Sequence, residues 1–287
     1  MIVYGVAFMK DILVSIIIRT CGRPQVLAEA LESVRVQTYP NIEVVVVEDG
    51  ENLSEGFLTA DFPDLCVRYQ CTGERRGRCK AGNLGLEAAK GKYVNFLDDD
   101  DLLLPSHVET LVTRMEEAGH MAAYSIAEEH QVRKCKQNQV KGVVKRKLIR
   151  YRQPYSRLLL CYLNYIPIQS IMFRRSLYEE LGGFDEGLEV LEDWDLWVRY
   201  STRYDFLYIP TVTSIYHTPY KGRQKHQREG YMQKVSQEVL EKHKQYNMSM
   251  TAWQVNHEMD YILNVFNKKR FLFYMQKIRN FLLYRDI

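Results

Sequence analysis

Residues 93–101 read Tyr93-Val94-Asn95-Phe96-Leu97-Asp98-Asp99-Asp100-Asp101, a mostly apolar run that ends in four aspartates. The run predicts a strand over Tyr93–Leu97, because apolar residues over this length suit a sheet covered on both faces. Carboxylates packed together at its end are costly. Like charges this close raise one another's pKa and repel unless a cation offsets them. Hard oxygen ligands of this kind suit Mg²⁺ or Mn²⁺, which in turn bridge phosphate oxygens. Asp98 and Asp100 are the expected metal ligands, and Asp101 the expected cap of the next helix.

Upstream, Leu13–Ile18 and Val44–Val47 are continuous β-branched runs that predict buried strands, and Cys66–Gln70 predicts a third. Between them, Pro24 opens a helical pattern through Gln37, with Val26, Leu27, Ala30, Leu31 and Val34 on one stripe. A second helix is expected over Lys80–Ala89. Alternating strand and helix predicts an α/β fold with a mostly parallel sheet and helices on both faces. Ligands of such sheets bind beyond the carboxyl ends of the strands. Arg19–Arg23, Asp49 and Asp98–Asp101 should therefore converge on one crevice.

Downstream, a helix is expected from Pro105 to Glu117, strands at Met121–Ile126 and Ile168–Phe173, and a short helix ending at Gly182-Gly183. Glu192–Tyr200 reads as a helix, and Phe206–Ile209 and Val212–Tyr216 as two strands. After Pro219 the texture becomes charged and amphipathic helix through Ile287. The expected organisation is a catalytic domain over 10–218 and a C-terminal helical region over 219–287.

The chain of 287 residues carries a net charge of only +3, which excludes an obvious nucleic-acid binder. Its distribution is uneven. No Asp or Glu occurs from His130 to Tyr178, where Arg133, Lys134, Lys136, Lys141, Lys145, Arg146, Lys147, Arg150, Arg152, Arg157, Arg174 and Arg175 all fall. Such a stretch is either a solvated basic face or an attractor of an anionic acceptor or membrane surface. The cysteines show no CxxC spacing, and scattered single cysteines suit a reducing compartment. No run spans a bilayer, and the apolar opening Met1–Phe8 lacks a basic leader, so a cytoplasmic location is expected.

Six short motifs follow one another: Ile16-Ile17-Ile18-Arg19-Thr20-Cys21-Gly22-Arg23, Val47-Glu48-Asp49-Gly50, Gly82-Asn83-Leu84-Gly85, Phe96–Asp101, Gly182-Gly183-Phe184-Asp185-Glu186 and Glu192-Asp193-Trp194-Asp195-Leu196-Trp197. Together, over Ile12 to His217, they resemble the motif series of family 2 glycosyltransferases, which share the GT-A fold. The resemblance implies an inverting transfer of a sugar from a nucleotide-sugar donor, a UDP-sugar favoured, to the hydroxyl of a saccharide or lipid-linked saccharide. It implies nucleoside contact by Thr20, Arg23 and Asp49. It matches Asp98 and Asp100 to the family's DxD motif, with Asp98 reaching the ribose and Mn²⁺ or Mg²⁺ bound there, and it implies donor contact by Asp99. Arg78 and Asn83 would lie on the donor-facing segment; the alternatives are a surface arginine and a helix cap. Asp193 matches the family's catalytic base, and His217 the place of a third metal ligand. Family members usually have Pro where Arg19 stands and Asn where Gly22 stands.

Two other classes compete. A nucleotidyltransferase would show a Gly-rich, basic loop after the first strand, and Arg19–Pro24 is a poor version of one. A non-catalytic nucleotide-binding scaffold would not need Asp98, Asp100 and Asp193 together. Arg223, Lys225 and His226 are expected on a polar surface loop. In Lys268–Ile287, Phe271, Tyr274, Met275, Ile278 and Leu282 recur at helical spacing among basic residues. That pattern suits peripheral contact with the inner face of an anionic cell membrane. The same stripe equally suits packing on the catalytic domain or pairing of two subunits as a homodimer.

Overall fold

The computed structural model describes residues 11–133, 142–221 and 223–265. The first half alternates β1 (Val14–Thr20), α1 (Pro24–Arg35), β2 (Ile42–Glu48), α2 (Glu55–Asp61), β3 (Val67–Cys71), α3 (Arg78–Ala88) and β4 (Tyr93–Asp98). There follow β5 (Leu102–Leu103), α4 (His107–Ala118), β6 (Ala122–Arg133), β7 (Val143–Leu148), α5 (Arg157–Leu160) and β8 (Ile171–Arg174). The last elements are α6 (Arg175–Leu181), α7 (Glu192–Ser201), β9 (Phe206–Pro219), α8 (Arg223–His243) and α9 (Ala252–Val265).

One sheet runs β3-β2-β1-β4-β8-β6-β9-β5, with β7 also paired to β6. The strands β1 to β4 pair in parallel, as expected from their helical crossovers. Beyond them the sheet is mixed: β8 runs antiparallel to both β4 and β6, while β9 runs parallel to β6. The chain reaches β8 through an irregular segment rather than a crossover helix, so a parallel entry is not imposed. Ile168–Phe173, expected as one strand, opens as a 3₁₀ turn at Ile168–Ser170 after Pro167 and becomes β8 only at Ile171. The two strands expected at Phe206–Ile209 and Val212–Tyr216 are one long strand. Its partners step from Ile209 to Val212, so Pro210 and Thr211 form an irregularity. Pro210 has no N–H to give the ladder, which is where such bulges arise.

The pleat divides the interior in two. Ile17, Val45, Val47, Val94 and Phe96 face one cluster with Trp194, Trp197 and Phe184. Ile16, Ile18, Val44, Val46 and Leu97 face the other, against Leu27, Leu31 and Val34 of α1 and Val108, Leu111 and Met115 of α4. Each such side chain, fully buried, contributes roughly 1.5–3 kcal/mol relative to exposure. Helix α3 lies so close to β1 that a Cβ on Gly85 would meet the Ile17 side chain, and one on Gly82 would come within 2.6 Å of the Phe184 ring. That close approach is why the Gly82-Asn83-Leu84-Gly85 stretch is glycine-rich.

The helices after Pro219 dock on this framework. Val235, Val239 and Ile262 join the cluster that holds Trp194. Lys242 reaches Asp195 at 2.8 Å and Asp185 at 2.6 Å, and Glu258 accepts from Ser156 Oγ at 2.8 Å. Arg223, Lys225 and His226, expected on a loop, fall within α8, and their side chains lie outside the described residues. The basic stripe at Phe271–Leu282 also lies outside them. No described helix is long and apolar enough to cross a membrane.

Candidate active site

Arg19 of β1 lies directly opposite Asp98 of β4. Partners across a ladder share a face, so both side chains meet above Phe96. The Arg19 guanidinium donates to Asp98 Oδ1 from Nη2 at 2.6 Å and from Nε at 3.2 Å. Its Nη1 donates to Glu192 Oε1 at 2.9 Å. The group sits 5.7 Å from the Phe96 ring centre and 5.4 Å from that of Phe184, and Arg19 is only 7% exposed. Burial works against ionisation of Asp98, but Arg19, Arg78 and Arg23 outweigh it and hold its carboxyl below the usual range.

One residue further, the pleat turns Asp99 to the opposite face. There Thr20 Oγ1 donates to it at 2.7 Å and Arg23 Nε at 3.1 Å, with Arg23 Nη2 on its other oxygen. Burial dominates at this position and pushes the Asp99 pKa up to about 6, against the pull of Arg23 and Thr20. Asp100 points outward: its side chain is 50% exposed, with Arg23 Nη1 at 3.5 Å. Asp101 does not cap a helix. β5 intervenes before α4, whose cap position is Ser106, and Asp101 instead accepts the backbone N–H of His217 at 2.9 Å. The four aspartates are thus dispersed, Asp98 to Arg19, Asp99 and Asp100 to Arg23, and Asp101 to the His217 amide. The repulsion expected between them is met largely by Arg19, Arg23 and a backbone amide.

At the entrance of α7, Leu191 adopts φ 60°, the left-handed region that a non-glycine residue enters at a cost of about 1–2 kcal/mol. That turn sets the neighbouring carboxylates apart. Glu192 is buried and bridges Arg19 to Arg78, whose Nη1 is 3.6 Å away. Asp193 is partly exposed, and Asn164 Nδ2 lies 3.2 Å from each of its oxygens. The Trp194 N–H donates to Asp193 Oδ1 at 2.8 Å. Burial, and after it the charge of Glu192, push the Asp193 carboxyl above the usual range, against Asn164 and Trp194. Such an upward shift suits a proton acceptor working near neutrality. Asp195 is turned away and fully buried, held by Arg199, Lys242 and Tyr246.

Asp49 and Asn83 are more committed than the sequence suggested. Asp49 Oδ1 accepts the N–H of Arg76 at 2.7 Å, and Oδ2 that of Gly77 at 3.1 Å. It therefore fixes the loop that delivers Arg78 to the first turn of α3. Asn83 lies inside α3, so it is no cap. It brackets Phe184, donating to its carbonyl at 3.0 Å and accepting its N–H at 2.7 Å. Arg19, Asp98, Glu192 and Arg78 form one set of contacts at the strand ends, and Thr20, Arg23, Asp99 and Asp100 form a second on the other face; Asp193 follows Glu192 in the chain.

Three participants were given no role from the sequence. Glu48 is fully buried and accepts from the backbone N–H groups of Gly22, Leu53 and Ser54 and from Tyr69 Oη, shaping the loops after β1 and β2. Its signal was its place beside Asp49, since of two neighbouring residues at a strand end one must face inward. Glu192 carried the same signal beside Asp193. Asn164 carried none, for it stands in an irregular segment.

No group of three His, Cys, Asp or Glu side chains that would cage an ion occurs among the described residues. Asp98, expected as a ligand, gives Oδ1 to Arg19. Asp100 offers a half-exposed carboxylate, and His217 Nδ1 lies 2.5 Å from the Asp100 carbonyl oxygen. Carboxylate and imidazole fit Mn²⁺ or Mg²⁺ of the kind that takes its remaining ligands from phosphate and water. Asp100 keeps its carboxylate half-exposed, while His217 gives Nδ1 to the Asp100 carbonyl, so of its ring nitrogens only Nε2 remains for an ion.

A parallel half-sheet with acids and arginines at its carboxyl edge, and a carboxylate at the start of a neighbouring helix, is the arrangement the GT-A fold leads one to expect. The model of the family Glycosyl transferase family 2 matches residues 15–182, and the chain belongs to that family. A Bacillus subtilis relative, the uncharacterized glycosyltransferase YwdF, is 31% identical over 71% of this chain and 73% of its own length. The Rickettsia prowazekii glycosyltransferase RP339 is 29% identical over 66% of this chain, which spans only 58% of that relative. Among solved structures, Staphylococcus aureus TarS 1–349 with UDP superposes with a TM-score of 0.63 at 16% identity, covering 84% of this chain and 68% of that one. The Pyrobaculum calidifontis mannosyltransferase PcManGT, crystallised with GDP-Man and Mn²⁺, gives 0.59 at 19% identity, covering 90% and 75%. At such identities these structures speak for the fold. The chain is a glycosyltransferase.

Proposed function

We propose that this enzyme moves a sugar from a nucleoside diphosphate sugar, a UDP-sugar favoured, to an acceptor hydroxyl with inversion at the anomeric carbon. The observation that carries the reading is Asp193: a partly exposed carboxylate with a raised pKa, linked through Glu192 and Arg19 to Asp98. TarS 1–349 crystallised with UDP-GlcNAc, and PcManGT with GDP-Man, support a donor of this class.

Asp193 takes the proton of the acceptor hydroxyl as that oxygen attacks, and the Trp194 N–H and Asn164 hold the carboxylate in place while it does so. The half-exposed guanidinium groups of Arg23 and Arg78 flank the crevice where the diphosphate departs, and offset the charge that develops there. Thr20 and Arg23 fix Asp99, while Asp49 fixes the loop before Arg78, so the nucleoside meets a preformed rim. Asp100 and His217 would hold Mn²⁺ or Mg²⁺, which supplies Lewis-acid stabilisation of the leaving diphosphate. Use in cell-surface polysaccharide or glycolipid assembly is the setting proposed.

The test is a thermal-shift screen of UDP-, GDP- and dTDP-sugars with and without Mn²⁺, followed by donor hydrolysis. One donor should stabilise the protein in a metal-dependent way. Asp193→Asn should keep that binding and lose roughly a hundredfold or more in turnover. Full activity in excess EDTA would remove the metal, and unchanged turnover in the variant would remove Asp193 as base.

A further inference from the structure

The strand β7 is an edge with both faces open to solvent: Val143 through Lys147 are all exposed, and the strand's ladder partner is β6. An edge of this kind, with exposed Val143 and Val144, invites aggregation unless charges or a partner protect it. Here the protection is basic. Lys145, Arg146 and Lys147 follow in sequence, and Arg150 and Arg152 come just after. Arg150 is paired with Glu129 at 2.7 Å. Among the described residues, Lys145, Arg146 and Arg152 have no acidic partner, and Lys147 only touches Glu128 at 4.0 Å.

The register ties this edge to the active site. His217 on β9 is the ladder partner of His130 on β6, and His130 is the partner of Lys147 on β7. The two imidazole rings meet edge to face, 5.7 Å apart, which places them on one face. Glu128 contacts both His130 and Lys147, so the row continues across the third strand. Between Gln131 and Val132 the register slips, and Lys145 is the extra residue of that bulge. A bulge re-aims side chains and ends regular pairing. Strands lie about 4.8 Å apart, so β7 stands roughly 10 Å to the side of His217. That is within reach of an extended acceptor whose hydroxyl enters the crevice.

We propose that β7 is the acceptor-binding edge of the site, and that the acceptor it takes carries phosphate groups. The assignment rests on the transferase reading above and names the substrate class of that same site. Phosphate is favoured because β7 itself carries lysine and arginine and no acid, and because Glu128, the acid in the row toward His217, is engaged by His130 and Lys147. A general membrane surface would not need that continuity.

The experiment uses the full chain and fluorescein-labelled linear polyphosphate as the probe. Lys145→Ala/Lys147→Ala should bind it roughly tenfold more weakly than the unaltered protein, with a shallower salt dependence, because fewer counterions are released. Both residues lie on the surface, so the fold is expected to survive. Bound polyphosphate should also shield His217 from ethoxyformylation, mapped by mass spectrometry, in the unaltered protein alone. Equal binding by the double variant, no binding by either, or binding without shielding of His217 would overturn the proposal. So would retention on phosphatidylglycerol vesicles that depends on these lysines while soluble polyphosphate is ignored, which would make the edge a membrane contact. The donor thermal-shift screen on the same samples separates the two readings: its failure removes the transferase mechanism, whereas failure of polyphosphate binding removes only the acceptor class.

Discussion

Asn164→Ala is the substitution that tests the base most directly. In the folded enzyme one Nδ2 group serves both oxygens of Asp193 at 3.2 Å, and the Trp194 N–H holds Oδ1 independently at 2.8 Å. Removing Asn164 therefore withdraws support from the ionised form without freeing the carboxylate to turn. A hydrogen bond to a charged group contributes about 1.5–3 kcal/mol. A shared donor near the long end of the N–H···O range belongs at the bottom of that interval. One pKa step corresponds to about 1.4 kcal/mol, so the Asp193 pKa should rise by roughly one unit. The acidic limb of kcat/KM, which reports the free enzyme's base, moves to higher pH by the same amount, and the alkaline plateau changes little. Asn164→Asp should move it further, since a second carboxylate adds repulsion. The assay is donor consumption in the presence of acceptor across neutral pH. A uniform fall in rate with an unmoved limb would show that Asn164 only holds the segment around it, and the reasoning would fail.

Three further outcomes follow from the same contacts. Asp193→Asn should raise the melting temperature above neutral pH while cutting turnover by roughly a hundredfold or more. The folded pKa of Asp193 lies above its unfolded value, so the stability linked to it is complete below the unfolded pKa and is lost as pH rises through the folded one; a melting temperature that fell at every pH would contradict this. Arg19→Met should cost about 3–5 kcal/mol in urea unfolding at neutral pH, because it strands Asp98 and Glu192 beside each other with their buried cation removed; a loss below about 1 kcal/mol would show that the pair is not load-sharing. Asp49→Ala should weaken donor binding by roughly tenfold in calorimetry with little change in kcat, since the Arg76–Gly77 amides lose their anchor; unchanged affinity would separate that loop from the donor.

Much of the fold was legible because β1, β2 and β4 are unbroken apolar runs between helices, and that pattern has few other solutions. The second half was not. β7 is a charged strand exposed on both faces, so it has no apolar periodicity to read, and β8 is only four residues behind a 3₁₀ turn. At the site, sequence order marked Asp98–Asp101 and Glu192–Asp193 but not their directions. Alternation along a strand puts Asp98 and Asp99 on opposite faces, and a left-handed Leu191 sets which carboxylate of the next pair is buried. Asn164 reaches Asp193 only through the packing of an irregular loop, for which no local pattern exists.

The departure at Arg19 changes what the acidic run does. Arg19 places a guanidinium against Asp98 and connects it to Glu192, so a fixed positive charge stands between the acids that end β4 and the start of α7. Asp98 stays ionised through that contact. Its charge is then largely balanced by that contact, and the more exposed carboxylate of the run is Asp100. The same arginine lets Glu192 remain buried next to Asp193, whose pKa the Glu192 charge raises. One residue in the first motif thus joins two groups of charges that the sequence displays separately: the acids at the end of β4 and the carboxylates at the start of α7. A chain with Pro at this position would need another partner for Asp98 and would leave Glu192 only Arg78, at 3.6 Å and half exposed. The charge network of this site belongs to this chain's own residues, and Arg19 is the member that joins its halves.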